Sequence, residues 1–294
     1  LHMKAFLFPG QGAQFEGMGQ DLYESNAQAK ALFDQANSIL GFDITKVMFE
    51  GTAEQLRQTK ITQPAIFLHS VITAKVKMDK DMQPDVVAGH SLGEFSALVA
   101  NGAMAFEDAL QLVYQRALAM QASCDQTEGT MAAIMTSDID LVEQTCASVD
   151  AVVVPANYNT PSQLVISGSI AGIEAASAAL SEKGARVIPL TVGGAFHSPL
   201  MESAKTKLQA AIEATDFKTP FCPIYQNVTA QATTDIDAIR TNLINQLTGS
   251  VRWSQTIQNM LSNEVEQFIE VGGKGRILLG MVRKINRKAQ MQML

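Results

Sequence analysis

The residues best suited to chemistry lie in the segment GHSLG at residues 89–93, which has the spacing G-x-S-x-G. A short apolar run over residues 85–88 precedes it, and good helix formers over residues 94–100 follow it. The motif therefore has the strand, turn and helix that a nucleophile elbow requires. This pattern predicts Ser91 as an exposed nucleophile, although the same spacing also occurs in ordinary tight turns.

The same turn is predicted to place a backbone donor beside the serine. At the N-terminus of a helix, unpaired NH groups and the helix dipole favour negative charge. The NH group of Leu92, the residue after the predicted nucleophile, is therefore expected to be one donor of an oxyanion hole.

A serine nucleophile needs a base, and the chain has four histidines. His2 belongs to an apparent cloning remnant, residues 1–2, and His69 lies on an apolar helical stretch that is typical of structural residues. His90 precedes the nucleophile, so its side chain should point away from Ser91. His197 remains, after a glycine-rich approach that suggests a mobile loop. We predict it as a general base with a near-neutral pKa.

Arg116 lies beside the apolar stripe of a helix predicted over residues 106–122. A charged side chain in this position is usually an exposed neighbour of the core. The alternative is a guanidinium directed into a cleft, where its planar fork would hold an anion. The residue pattern by itself leaves both interpretations open.

Composition narrows the class of protein. The chain has 294 residues, of which 47% are hydrophobic and 17% charged, which predicts a globular fold. The formal charge of −7 argues against nucleic-acid binding. Three cysteines without C-x-x-C spacing argue against a disulfide framework and against a metal site. The apolar run at residues 4–8 is too short for a signal peptide or a membrane span, so we expect a cytoplasmic protein.

The predicted elements divide into two units. Residues 130–192 show the order βαββαβ, the pattern of a ferredoxin-like unit. We assign residues 128–193 to this small subdomain, which is inserted in a large α/β domain formed by residues 3–127 and 194–294. The large domain is expected to have a mainly parallel sheet.

Eight ordered motifs together resemble the malonyl-CoA:acyl carrier protein transacylases, an acyltransferase family of fatty-acid synthesis. They are FPGQGAQ at 8–14, TQPA at 62–65, GHSLGE at 89–94, QRA around Arg116, NYNTPSQLVISG at 157–168, AFHSPLM at 195–201, NQL at 245–247 and VRW at 251–253. The match covers the chain from residue 6 to about residue 285. The resemblance implies a hydrolase-like α/β core that carries a ferredoxin-like subdomain.

The resemblance also implies a reaction in two steps. Malonyl-CoA acylates Ser91, and the phosphopantetheine thiol of acyl carrier protein then takes the malonyl group, with His197 passing the proton each way. Arg116 is implied to pair with the free carboxylate of malonate. The implied partners are malonyl-CoA and acyl carrier protein, with no bound cofactor or metal, no nucleic acid and no membrane, and the implied state is a monomer.

The same resemblance implies roles for three glutamines. The backbone NH of Gln11 is implied as the second oxyanion donor, together with that of Leu92. The backbone carbonyl of Gln246 is implied to orient His197 in place of a triad carboxylate, and Gln63 is implied to line the pocket.

Two other classes of protein remain open. A serine esterase or thioesterase shares the elbow, but it needs a catalytic carboxylate and has no use for Arg116. A noncatalytic acyltransferase-like scaffold would not need an intact nucleophile and base. Within the family, the sequence does not separate a fatty-acid carrier from a polyketide carrier, although a freestanding chain favours the former.

A basic cluster near the C-terminus offers a docking hypothesis. Arg283, Lys284, Arg287 and Lys288 have a spacing that predicts one face of a helix. Such a face could attract an acidic carrier protein. Cations that favour the C-terminal end of a helix are an equally good interpretation.

Overall fold

The computed structural model describes residues 3–294. Residues 1 and 2, which were interpreted as a cloning remnant, lie outside the described residues. The ten strands are β1 (Met3–Phe8), β2 (Val86–Gly89), β3 (Thr130–Met135), β4 (Val153–Thr160), β5 (Gln163–Gly168), β6 (Arg186–Pro189), β7 (Ile224–Tyr225), β8 (Ala232–Thr233), β9 (Val265–Glu270) and β10 (Gln290–Met293), all within residues 3–294.

The helices of the described chain pack around these strands. They are α1 (Gln20–Ser25), α2 (Ala27–Leu40), α3 (Ile44–Glu50), α4 (Ala53–Arg57), α5 (Thr59–Lys77), α6 (Gly93–Ala100), α7 (Phe106–Gln126), α8 (Ile139–Ser148), α9 (Ile170–Glu182), α10 (Glu202–Glu213), α11 (Ile236–Gln246), α12 (Trp253–Ser262) and α13 (Ile277–Ile285). None of those in residues 3–294 is long and apolar enough to cross a membrane.

The larger sheet has six strands in the order β10-β9-β1-β2-β7-β8. All neighbours are parallel except β7 and β8. Strand β1 is buried on both faces, because Ala5 and Leu7 face one apolar cluster while Phe6 and Phe8 face the other. Burial on both faces is typical of a parallel sheet covered by helices. The predicted α/β class with a mainly parallel sheet is confirmed.

The smaller sheet has four antiparallel strands in the order β4-β5-β3-β6. Its strands and helices follow the predicted order βαββαβ. Ile134 and Ile166 pack on the side that contains α8 and α9 residues, whereas Met131 and Val165 belong to the cluster of the larger unit. All of its strands lie within residues 130–189, and we propose residues 128–193 as the bounds of the subdomain.

Helix α5 begins earlier than its sequence predicts. A proline is favoured in the first turn of a helix, so the sequence predicts a helix that opens around Pro64. The helix instead begins at Thr59 and contains Pro64 in its interior. The preceding turn is stabilised by burial of Ile61 and by the Thr62 hydroxyl, which donates to the Gln58 carbonyl at 3.0 Å. Tertiary packing here outweighs the local preference of proline.

The basic cluster does not form one helical face. Helix α13 ends at Ile285, so Arg287 and Lys288 lie beyond it, and this prediction was wrong. Lys288 lines a groove together with Met3 and Val265, the first residues of β1 and β9. Lys288 therefore lies at the end of the sheet where β1 and β9 begin, opposite to the end where Ser91 follows β2. The position favours the interpretation as cations at a helix end.

Candidate active site

The candidate site lies where three neighbouring parallel strands end. Gln11 follows β1, Ser91 follows β2 and Asn227 follows β7. In open α/β sheets, ligands bind in the crevice beyond the carboxyl ends of the strands. The order of the strands therefore brings together loops that are far apart along the chain.

The turn after β2 has the close approaches that its glycines predict. A Cβ atom on Gly89 would lie 1.9 Å from the carbonyl carbon of Gly93, and one on Gly93 would lie 2.0 Å from the Phe8 carbonyl oxygen. Ser91 adopts φ 53°, in the left-handed region that non-glycine residues rarely occupy. The motif is thus a sharp strand-to-helix turn with the serine at its apex.

Gly93→Ala should destabilise the protein by roughly 1–3 kcal/mol, because the added methyl group collides with backbone that has nowhere to move. Gly280→Ala is the matched control, since nothing lies within 4 Å of a Cβ atom at that position inside α13. This control should gain about 0.5–1 kcal/mol from helix propensity. Urea unfolding of both variants measures the difference. Equal stability of Gly93→Ala and the unmutated protein would show that the turn is not constrained.

The predicted nucleophile and base meet in the structure. Ser91 Oγ lies 2.8 Å from His197 Nε2, and His197 Nδ1 lies 2.8 Å from the Gln246 carbonyl oxygen. Because a carbonyl oxygen only accepts hydrogen bonds, Nδ1 carries the proton and Nε2 is free to accept the serine hydroxyl. The Gln246 backbone thus sets the tautomer that a general base at Nε2 requires.

His197 is more enclosed than its sequence context suggests. The residue is buried, and its backbone adopts φ 58°. Burial, and next the nearby charge of Arg116, lower the pKa of His197 to about 3. The predicted near-neutral pKa is therefore wrong for the free protein. The ring is neutral there, as a base that accepts a proton must be.

Arg116 is directed into the site and is only 1% exposed. Its Nη1 donates to Gln63 Oε1 at 2.7 Å, and its Nη2 donates to Gln246 Oε1 at 2.9 Å and to Ser91 Oγ at 3.1 Å. The structure therefore excludes the interpretation as an exposed neighbour of the core. These three acceptors are all neutral, and burial lowers the pKa of Arg116 to about 10.

The two loops that carry the predicted oxyanion donors are in contact and line one cavity. Gln11 and Leu92 both line the cavity that holds Ser91. The loop before Gln11 touches the turn, since a Cβ atom on Gly10 would lie 3.7 Å from the Leu92 nitrogen. Neither amide, of Gln11 or of Leu92, donates to another group within residues 3–294. Both NH groups are thus available to a ligand oxygen.

The cavity between the two units has a volume of about 130 Å³. The large unit contributes Gln63, Arg116 and Met120 beside the serine, and the smaller sheet contributes Met131 and Val165. Gln63 also donates through Nε2 to the Met120 sulfur at 3.3 Å. Arg116 and Gln63 therefore make part of the cavity polar and cationic, whereas the smaller sheet contributes the apolar Met131 and Val165 together with the polar Asn157. Residues 3–294 contain no cluster of His, Cys, Asp or Glu that could hold a metal ion.

Two residues of the site were not found from the sequence. The side chain of Asn227 accepts from the Ser91 NH and donates to the Gly89 carbonyl, both at 2.8 Å. Glu94 accepts from the Asn227 NH. Asn227 follows a strand of only two residues, which leaves no recognisable periodicity in the sequence. Glu94 is an acidic residue in the first turn of α6, which is a common position for such a residue, so the sequence does not indicate a special role.

A family model described as "Acyl transferase domain" matches residues 5–292. A malonyl CoA-acyl carrier protein transacylase of Bacillus subtilis is 43% identical over 97% of this chain and 90% of its own length. An acyl carrier protein S-malonyltransferase of Vibrio cholerae is 37% identical, covers 99% of this chain and 96% of its own, and has a TM-score of 0.94. A malonyl-transacylase solved with a type II PKS acyl-carrier protein is 35% identical over 99% and 94% of the two chains, with a TM-score of 0.93.

Proposed function

Because the chain belongs to the acyl transferase domain family, we propose that it performs the transfer for which its relatives are named. The malonyl group of malonyl-CoA passes to the phosphopantetheine thiol of acyl carrier protein, as a step of fatty-acid synthesis. The chain needs no cofactor of its own for this transfer, since both thiols arrive with the substrates. The proposal includes an O-malonyl ester on Ser91 as the intermediate.

In the first half-reaction, Ser91 Oγ attacks the thioester carbonyl carbon while His197 Nε2 takes the hydroxyl proton. The negative charge that forms on the carbonyl oxygen is stabilised by the NH groups of Gln11 and Leu92. The carbon–sulfur bond then breaks, and the proton on His197 passes to the sulfur of coenzyme A. The serine is left as a malonyl ester.

The second half-reaction reverses these roles. The thiol of the carrier protein gives its proton to His197 Nε2 and attacks the ester carbonyl. The carbon–oxygen bond breaks, and Ser91 recovers its proton from His197. No proton is gained or lost over the two steps, so one neutral histidine serves both.

Arg116 is the observation that carries the proposal for the substrate. Its buried guanidinium reaches the nucleophile, and its three hydrogen bonds within residues 3–294 all go to neutral oxygen atoms, so it is suited to a ligand that brings its own carboxylate. Both Nη atoms can turn from the amides of Gln63 and Gln246 to that carboxylate and hold it bidentately. An acetyl group has no carboxylate and leaves the cation unpaired.

The rival classes are less well supported by this geometry. A Ser-His-Asp esterase would hold the histidine through a carboxylate, whereas His197 Nδ1 is bonded to the Gln246 backbone carbonyl. A noncatalytic scaffold would not need the 2.8 Å contact between the nucleophile and base.

Intact-mass and peptide mass spectrometry after brief mixing with malonyl-CoA test the function. The expected result is one malonyl adduct, which fragmentation places on Ser91 rather than on the nearby Ser96 or Ser198, and which moves to added holo acyl carrier protein. Rapid release of free malonate would support a thioesterase instead. An adduct on another residue would overturn the assignment.

The pH dependence of acylation should reflect the lowered pKa of His197. The base works when it is deprotonated, so a pKa of about 3 in the free enzyme predicts that kcat/KM for malonyl-CoA stays flat as pH falls from about 8 to about 5. Burying a neutral histidine also makes folding stability fall as pH drops below about 6.5. Thermal unfolding at each pH is therefore the control. A loss of rate centred near pH 6.5 in folded protein would contradict the buried, neutral base.

We also propose that the enzyme acts as a monomer in the cytoplasm. The catalytic residues named here all belong to one chain, so no second copy is needed to complete the site. Sedimentation velocity of the purified protein, with and without carrier protein, checks the oligomeric state.

A further inference from the structure

Glu94 is a fully buried carboxyl group that the proposed chemistry does not use. It occupies the second position of α6, directly behind the turn that carries Ser91. Oε1 accepts a hydrogen bond from the backbone NH of Asn227, whereas Oε2 has no hydrogen-bond partner in the described structure. Burial raises the pKa of Glu94 to about 8. Either protonation state can accept from the Asn227 NH.

Asn227 connects this carboxyl group to the nucleophile turn. Its Oδ1 accepts from the Ser91 NH and its Nδ2 donates to the Gly89 carbonyl, so one side chain spans both sides of the turn. Gln246 Nε2 adds to the same cluster by donating to Asn227 Oδ1 at 3.2 Å and to the Ser91 carbonyl at 2.9 Å. Every backbone polar group of Ser91 therefore bonds to one of these two amide side chains.

We propose that Glu94 is a positioning residue that fixes Asn227, and through Asn227 holds Ser91 in the geometry needed for attack. The inference deepens the proposed acyl transfer and rests on it for the reaction that is accelerated. Glu94 touches none of the reacting atoms. Its effect reaches the hydroxyl group through two consecutive hydrogen bonds.

The physical reason lies in the backbone conformation of Ser91. A non-glycine residue in the left-handed region persists only where its surroundings hold it there. If the Asn227 NH loses its acceptor, the Asn227 side chain is free to shift, and the turn can relax. Ser91 Oγ then leaves its 2.8 Å contact with His197 for part of the time, which lowers the rate of attack more than the binding of substrate.

A second role for Glu94 makes a different prediction. The charge of Glu94 raises the pKa of Arg116, so the alternative role is an electrostatic one that does not depend on the hydrogen bond to Asn227. Glu94→Gln separates these roles, because the amide oxygen still accepts from Asn227 while the charge is lost. Glu94→Met has a similar volume and no acceptor, so it removes both.

The test compares these two variants with a reagent that needs no malonyl group. A fluorophosphonate that labels the active serine reports the placement of Ser91 and His197 directly. Glu94→Met should label about 10- to 100-fold more slowly and show a similar loss in kcat for malonyl transfer. Its KM for malonyl-CoA should stay close to the unmutated value, and Glu94→Gln should keep most of the labelling rate. Equal losses in both variants, or none in Glu94→Met, would overturn the proposal.

Asn227→Ala is an independent test of the proposal if Glu94→Met does not fold. It removes the side chain that spans the turn and keeps the backbone NH, so labelling and kcat should fall as in Glu94→Met. Where both fold, the double variant should be no slower than Asn227→Ala, because Glu94 acts through that side chain. If the losses of the two single variants instead add in the double variant, Glu94 does not act through the Asn227 side chain, and the proposal is overturned. Failure of the unmutated enzyme to form a malonyl adduct would reject the proposed function, and the labelling rates would still decide the role of Glu94.

Discussion

Replacing His197 with alanine should slow malonyl acylation of Ser91 by about 10²- to 10⁴-fold, the range attributed to a positioned general base. Without the imidazole, the serine hydroxyl keeps its proton, and the leaving thiolate receives none. The Ser91 hydroxyl also loses the acceptor that lies 2.8 Å away. Rapid-quench mass spectrometry of the malonyl adduct measures the rate in a single turnover.

Chemical rescue separates the loss of a base from general damage to the site. Imidazole added to His197→Ala can enter the space left by the side chain and should restore part of the acylation rate. The restored rate should rise with imidazole concentration. It should restore nothing in Ser91→Ala, which is the matched control. A His197→Ala rate within about tenfold of the unmutated enzyme would remove the histidine from the mechanism.

Replacing Arg116 with alanine should remove the preference for malonyl-CoA over acetyl-CoA. Loss of one partner of a buried charge pair costs about 2–5 kcal/mol, which corresponds to about 30- to 5,000-fold in kcat/KM for malonyl-CoA. The value for acetyl-CoA should change far less, because an acetyl group makes no use of the guanidinium. Steady-state kinetics with both thioesters measures the selectivity.

Arg116→Lys is the matched variant for this experiment. It keeps a cation but lacks the planar fork that reaches Gln63 and Gln246 together, so it should recover only part of the selectivity. Removing the charge in Arg116→Ala should also raise the pKa of His197, so the acid limb of its pH profile moves to higher pH. Parallel losses with malonyl-CoA and acetyl-CoA would show that Arg116 acts on the fold and not on the substrate carboxylate.

Local sequence patterns predicted the parts of this protein that depend on neighbouring residues. The spacing of two glycines and a serine predicts a sharp turn after a strand, because a Cβ atom at either glycine cannot be accommodated there. Alternation of apolar residues and turn signals likewise predicted the order βαββαβ over residues 130–192. The docking hypothesis shows the limit of such patterns, because four basic residues with helical spacing continue past the end of α13.

The sequence by itself thus determined which side chain was suited to act as nucleophile and what kind of turn carries it. Only the tertiary structure decided that Arg116 points inward, that His197 has a lowered pKa, and that Glu94 and Asn227 hold the turn. Ser91 and His197 are 106 residues apart, and Ser91 and Asn227 are 136 apart. Short-range patterns encode dihedral preference and periodicity, whereas burial, charge proximity and contacts between distant segments arise only when the strands β1, β2 and β7 pack side by side.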